Sequence, residues 1–185
     1  MKIKGTVINA RKEFIKEYFG DGAWEKVLNT LPSPYQDQLK GTILSSTWYS
    51  FEIGETLDNA IVKVMGGGNL SFFDELGAVS ARKSLAKEHK SFLSKGDPQG
   101  FLKKAGIIYK FYYNTGSREY KQTGPQSGIM TTFDSETYSA PDCLTVIGSH
   151  KEALKLCGAK QVNVIEEECR AKRGKCCRYR LQWSM

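Results

Sequence analysis

The strongest constraint in this chain is the placement of its cysteines: all five lie between Cys143 and Trp183, beside the carboxylate run Glu166-Glu167-Glu168. Thiolates and a carboxylate meeting at one point make a tetrahedral Zn²⁺ site, because zinc accepts Cys sulfur and Asp/Glu oxygen alike. The candidate ligands are Cys143, Glu166, Cys169 and Cys177, and no Cys-x-x-Cys pair is present.

Local geometry supports part of this set. Residues 161–171 are rich in Val, Ile and Glu, Lys172-Arg173-Gly174 offers a turn with Gly where positive φ is wanted, and residues 176–183 alternate as a returning strand. If Ala171 pairs with Lys175, Cys169 falls opposite Cys177 on one face, while Cys176 points away. Glu166 precedes Cys169 by an odd number of residues, so a regular strand sets them on opposite faces. A bulge at Glu167-Glu168 repairs this; without one, Glu167 is the better oxygen ligand. The competing reading is a hairpin whose thiols are simply buried or on a strand face.

The succession Cys143, Glu166, Cys169, Cys177, with Cys143-Leu144-Thr145-Val146-Ile147-Gly148 opening a helix and Gly174 before the last cysteine, resembles the zinc signature of the 4-vinyl reductase-type domain. The aromatic-sensing domains of phenol-responsive bacterial transcription activators carry that signature. The segment Phe19-Gly20-Asp21-Gly22-Ala23-Trp24-Glu25-Lys26-Val27-Leu28 resembles the opening of haem–nitric-oxide/oxygen-binding domains. Trp48-Tyr49-Ser50-Phe51 is similar to the Trp-Tyr-Pro-Phe motif of an uncharacterised myxobacterial family, with Ser for Pro. These families share one fold superfamily with the TRAPP vesicle-tethering subunits.

At 185 residues the length suits one domain, 1–185, with a helical part over about 1–114 and a sheet and zinc part over about 115–185. An odd cysteine count, a charged start without a signal peptide and no bilayer-length apolar run predict a cytoplasmic protein with free or metal-bound thiols and no membrane span. The formal net charge is +7. Arg170, Lys172, Arg173, Lys175, Arg178 and Arg180 crowd the terminal hairpin, where they can offset a thiolate-rich zinc site. Without an aromatic-interleaved or helix-turn-helix pattern, they make a poor case for nucleic acid.

Helical spacing predicts a helix over 10–19, a short one carrying Trp24, Val27, Leu28 and Leu31, and a strong one over 51–65 ended by Gly66-Gly67-Gly68. That triple glycine follows a helix C-terminus, whereas a phosphate loop precedes an N-terminus. Residues 70–94 continue helically, with His89 solvated amid charge. Asp97-Pro98 caps a helix reaching Tyr113 that is apolar nearly all round, which predicts a buried central element. A hairpin over 119–123 and 129–133, a helix from Pro141 to Leu156, and the terminal hairpin complete an α+β fold: N-terminal helices on a four-stranded antiparallel sheet built strand-strand-helix-strand-strand.

Set against the haem-binding relatives, Tyr109 stands where their proximal His is, and Phe133-Asp134-Ser135-Glu136-Thr137 replaces their Tyr-x-Ser-x-Arg clamp. Haem is therefore not expected, although tyrosine ligates haem in other folds; the competing role for Tyr109 is a core aromatic. The resemblance implies instead a small apolar or aromatic ligand between helices and sheet, with walls at Trp48, Tyr49, Phe101, Ile108, Tyr109, Tyr112 and Phe133. A filled core fits the same residues. Catalysis finds no dinucleotide fingerprint and no base–nucleophile pair, and His150 is expected at the surface or as a substitute zinc ligand. The expected function is a sensory, homodimeric ligand-binding domain with structural zinc that signals by association. A scaffolding module with an apolar tunnel and a tetrapyrrole- or haem-related protein are the alternatives.

Overall fold

The computed structural model describes residues 1–87, 89–135 and 139–185. It is α+β, as expected. The chain opens with a strand the sequence reading does not foresee: β1 (Lys2–Lys4) pairs antiparallel with β2 (Trp48–Ser50), and three-residue strands are too short to display alternation. α1 (Gly5–Phe19) starts five residues earlier than its apolar spacing suggests. Gly5 permits this: a Cβ there would stand 2.1 Å from the carbonyl oxygen of Leu44. α2 (Gly22–Leu28) follows, then α3 (Ser33–Leu39), where Pro34 sits in the first turn and needs no amide donor.

α4 (Phe51–Val64) is capped by Ser50, whose hydroxyl accepts from the Ile53 amide, and Gly67 and Gly68 turn the chain away at positive φ. α5 (Phe72–Ala86) ends sooner than expected. Beyond it His89 is not simply solvated: its ring lies 5.5–5.7 Å from those of Phe92, Phe111 and Tyr112. Ile8, Phe14, Trp24, Leu57, Ile61, Phe73 and Leu76 form the helical core.

The helix expected over 98–113 is two: α6 (Pro98–Leu102) and α7 (Ala105–Tyr112), separated at Lys103-Lys104. Nor is it buried all round. Ile107 is 61% and Phe111 47% exposed, while Ala105 and Tyr109 face inward.

β3 (Ser117–Gly124), β4 (Ser127–Phe133), α8 (Ala140–Leu156), β5 (Val162–Glu168) and β6 (Cys177–Trp183) complete the chain, and the antiparallel sheet runs β3-β4-β6-β5. Its inner face presents Met130, Tyr179, Leu181, Val164 and Trp183 to Ile147 and Leu154 of α8 and to Leu102. α5 and α8 cross at glycines: a Cβ on Gly148 would stand 1.7 Å from the Asp74 carbonyl oxygen, and one on Gly77 2.1 Å from that of Thr145. Ser149 Oγ donates to the Gly77 carbonyl at 3.1 Å across the same crossing. Gly148→Ala must therefore push the helices apart. The expected destabilisation is about 1–3 kcal/mol by chemical denaturation, and an unchanged midpoint would show that the crossing yields freely.

Candidate metal centre and ligand cavity

The terminal hairpin decides where its sulfurs go. From Val162↔Trp183 to Glu166↔Tyr179 the β5–β6 register is regular; it then shifts so that Glu168 pairs with Arg178. The bulge at Glu167 is thus the one that would let Glu166 and Cys169 share a face, and the regular-strand alternative does not occur. The turn differs from expectation, because Arg173 takes the left-handed conformation (φ 68) rather than Gly174, and a single 3₁₀ turn (Arg170–Lys172) precedes it. Gly174 meets a different demand: its ideal Cβ would lie 2.8 Å from the Cys169 carbonyl oxygen.

With that register, Cys169 and Cys177 face α8 and meet Cys143 from its first turns. Cys169 Sγ is 3.4 Å and Cys177 Sγ 3.9 Å from Cys143 Sγ, and all three sulfurs lie within 4.8 Å of one another, each buried. A tetrahedral ion with Zn–S bonds of about 2.3 Å sets its sulfurs about 3.8 Å apart. Its hydrogen bonds with Cys169 and Cys177, together with burial, push the Cys143 thiol up. Cys177 is pulled down to about 6, chiefly by Cys143, against burial and with help from the Arg170 amide, which donates to its sulfur at 3.5 Å. These contacts favour the thiolate at Cys177, the form a metal binds.

The carboxylates stand around this group. Glu166 accepts from Lys172 Nζ at 2.5 Å, Glu167 pairs with Arg180 on the other face, and Glu168 holds the Lys175 amide at 2.7 Å and Arg178 at 3.0 Å. Among the described residues the group that meets is the three cysteines; Glu166 adjoins it, close enough for its charge to act on Cys177. Cys176 points away, to Glu168 at 3.3 Å, and Cys157 is buried elsewhere in the core.

A second feature lies among α1, α5, α6, α7 and α8: a cavity of about 140 Å³. Of the expected wall residues, Phe101, Ile108 and Tyr112 line it. Tyr109 is buried but turned to a smaller adjoining void; its hydroxyl donates to the Thr115 carbonyl at 2.8 Å. Trp48, Tyr49 and Phe133 lie away from the cavity. Trp48 stacks under Lys4 Nζ at 4.1 Å, Tyr49 packs near Gly5, and Phe133 is 36% exposed. Of the expected clamp segment, Ser135 is buried; Glu136 and Thr137 lie outside the described residues.

The polar wall was not foreseen. His150, expected at the surface, is buried at the cavity and far from neutral-pH titration, pushed down to about 3 by burial and by Arg118. Arg11 donates from Nε and Nη2 to Asp58 at 2.6 and 2.9 Å, and from Nη2 to Asp142 at 3.1 Å; the Tyr113 hydroxyl also bonds Asp142, at 3.0 Å. Burial pushes the Asp58 carboxyl up against the pull of Arg11. Burial likewise works against the Arg11 charge, yet the two carboxylates outweigh it and hold the guanidinium above its ordinary value. The bidentate contact favours the ionised form of both partners. Arg118 donates to Thr132 Oγ1 at 3.0 Å and lies over the Tyr109 ring at 5.0 Å. Arg11, Asp58 and Asp142 carry no sequence signal beyond a charge on a helix with apolar neighbours, and Arg118 none beyond a charge on β3. A polar cleft of about 300 Å³ between α1 and α5, lined by Asn9, Ser45, Lys83 and Lys87, adjoins the cavity and shares Thr6, Ala10, Ser80 and Ser84 with it.

No protein-family profile matches the chain, and no curated protein does. Solved structures do. An H-NOX protein from S. oneidensis in the Fe(II)NO ligation state matches with a TM-score of 0.73 and 11% identity, covering 98% of this chain and 99% of that one. The Fe(II) unliganded H-NOX protein from K. algicida matches with a TM-score of 0.73 and 10% identity, covering 98% and 97%. At such identities the likeness is one of fold: this chain has the architecture of the haem–nitric-oxide/oxygen-binding domains over nearly its whole length.

Proposed function

We propose that the chain acts as one sensory domain that binds a small apolar or aromatic molecule in the cavity among α1, α5, α6, α7 and α8. The observation that carries this reading is the size and lining of that cavity. At about 140 Å³ it matches engineered apolar cavities of about 150 Å³ that take up benzene. A structural zinc completes the proposal. Cys143, Cys169 and Cys177 hold it, with Glu166 as oxygen ligand once it leaves Lys172, and four protein ligands leave no open position for activating water. Its role is to fasten the terminal hairpin to α8. Elemental analysis is expected to find about one zinc per chain, lost in Cys169→Ser, and chelation should lower the unfolding temperature. Metal-free protein with undiminished stability would leave the three thiols as plain core.

H-NOX neighbours include proteins studied for their haem, which argues for that cofactor here. The residues present do not fit it. The Tyr109 hydroxyl is engaged by Thr115, and the cavity is less than half the roughly 300–1,000 Å³ usual even for drug-sized ligands. A Soret band in the purified protein would overturn this. Homodimerisation belongs to the same proposal, supported by the exposed Ile107 and Phe111 on α7; sedimentation as a monomer at micromolar concentration would remove it. No helix among the described residues is long and apolar enough to cross a membrane.

A further inference from the structure

We propose that the outer edge of β5 pairs antiparallel with the same edge of a second copy of this chain, joining two four-stranded sheets into one. The contact is separate from the face on α7 and does not depend on it. β5 ends the order β3-β4-β6-β5 and is paired on one side only, to β6. The direction of its backbone groups is fixed where the pairing begins: the Trp183 amide donates to the Gln126 carbonyl, on the β4 side, and the Ser184 amide donates to the Gln161 carbonyl, on the β5 side. In an antiparallel ladder the amide and carbonyl of one residue point the same way, and successive residues alternate. Val162, Val164 and Glu166 stand opposite Trp183, Leu181 and Tyr179, so their amides and carbonyls turn outward. No turn, loop or side chain among the described residues takes them.

An open row of backbone donors and acceptors recruits another strand unless something blunts it. The opposite edge is blunted: α7 lies so close to β3 that a Cβ on Gly106 would stand 2.9 Å from the Arg118 carbonyl oxygen, and β3 carries Lys121. β5 has neither lysine nor proline, and its Ile165 is 46% exposed. Only the bulge at Glu167 interrupts it, leaving the stretch from Val162 to Glu166 regular. Charge selects a second copy as the occupant. Lys160, just before the strand, has no ion pair among the described residues, and Glu167, near its far end, is held by Arg180 through Oε1 alone. A segment basic at one end and acidic at the other complements itself when two copies run antiparallel. Centred on Val164, the pairing sets Val162 opposite Glu166 of the second copy, each such pair exchanging both of its bonds. Lys160 of each copy then comes alongside the Glu167-Glu168 end of the other, and the contact closes as a symmetric pair.

The test uses the full chain carrying Ile107→Ser and Phe111→Ser, at exposed positions of α7, so that association through that face is silenced. Sedimentation equilibrium of this parent is expected to show reversible pairing with a Kd of about 10–100 µM. Added singly, Lys160→Glu and Glu167→Lys should each weaken pairing about five- to thirtyfold, because like charges then meet at both ends of the contact. An equimolar mixture of the two should pair like the parent, since opposite charges meet again in the mixed species. In amide hydrogen exchange on the parent, Val162, Val164 and Glu166 should slow as concentration rises. A parent that is monomeric up to about 1 mM, single variants that pair as well as the parent, or pairing that leaves those three amides unprotected overturns the proposal. A monomeric parent beside a dimeric wild type leaves the α7 face standing and sinks this one. The exchange result on the parent decides even if a charge variant fails to fold.

Discussion

Replacing Arg11 with Met is expected to destabilise the protein by about 3–5 kcal/mol, the range for breaking a buried ion pair by removing one partner. Arg11 is 3% and Asp58 2% exposed, so Asp58 would be left without either water or its cation. Asp142 would keep only the Tyr113 hydroxyl among its contacts to Arg11 and Tyr113. The loss reaches four elements, because Arg11 on α1 holds Asp58 on α4 and Asp142 on α8, and Tyr113 follows directly on α7. The double variant Arg11→Met/Asp58→Leu should recover most of the stability, since the desolvation penalty disappears with both charges. Urea unfolding of the three proteins checks this. A single variant within about 0.5 kcal/mol of wild type, the range of ordinary surface changes, would mean the pair is not buried in solution.

Acid is expected to unfold the protein through His150. The imidazole stands at about 3 in the fold, against an ordinary 6.5, because burial and Arg118 both disfavour its cation. Below pH 6.5 the unfolded chain takes up a proton that the folded chain refuses. Stability therefore falls as pH falls, by about 1.4 kcal/mol per unit, and the loss ends only below about pH 3. Between pH 6.5 and pH 4 it amounts to about 3 kcal/mol. Carboxylates titrate over part of the same window, so the informative quantity is the difference between wild type and His150→Phe. That variant should lose less stability on acidification. Equal pH slopes in the two proteins would show that the imidazole gains its proton while the fold is intact.

The hairpin was legible because its chemistry is local. Strand period and the odd separation of Glu166 from Cys169 left two outcomes, a bulge at Glu167-Glu168 or a regular strand presenting Glu167, and the register shift shows the first. The strong apolar spacing of α4 and the Asp97-Pro98 cap, where Asp97 Oδ1 accepts from the Gly100 amide at 2.8 Å, were legible for the same reason. Aromatic residues misled where hydrophobicity stood in for position. Ile107, Phe111 and Phe133 read as interior and are partly solvent-facing, because composition marks an apolar residue but not which side of its helix or strand finds a partner. His150 failed in the opposite sense, polar by identity, expected at the surface and placed at a largely apolar cavity by packing.

What the sequence alone determined is the class of fold, the order of its C-terminal strand-strand-helix-strand-strand unit, and which thiols share the hairpin's inner face, since each follows from periodicity and turn chemistry over a few residues. The cysteine spacing already pointed to Cys143 as joining those thiols, which the fold brings about; tertiary structure alone decided that Glu166 faces Lys172 and that a cavity remains beside His150. Those outcomes depend on how closely α8 approaches α5 and the sheet. Gly77 and Gly148 set that approach through the atoms they lack, a three-dimensional fit to which no local pattern of side chains refers.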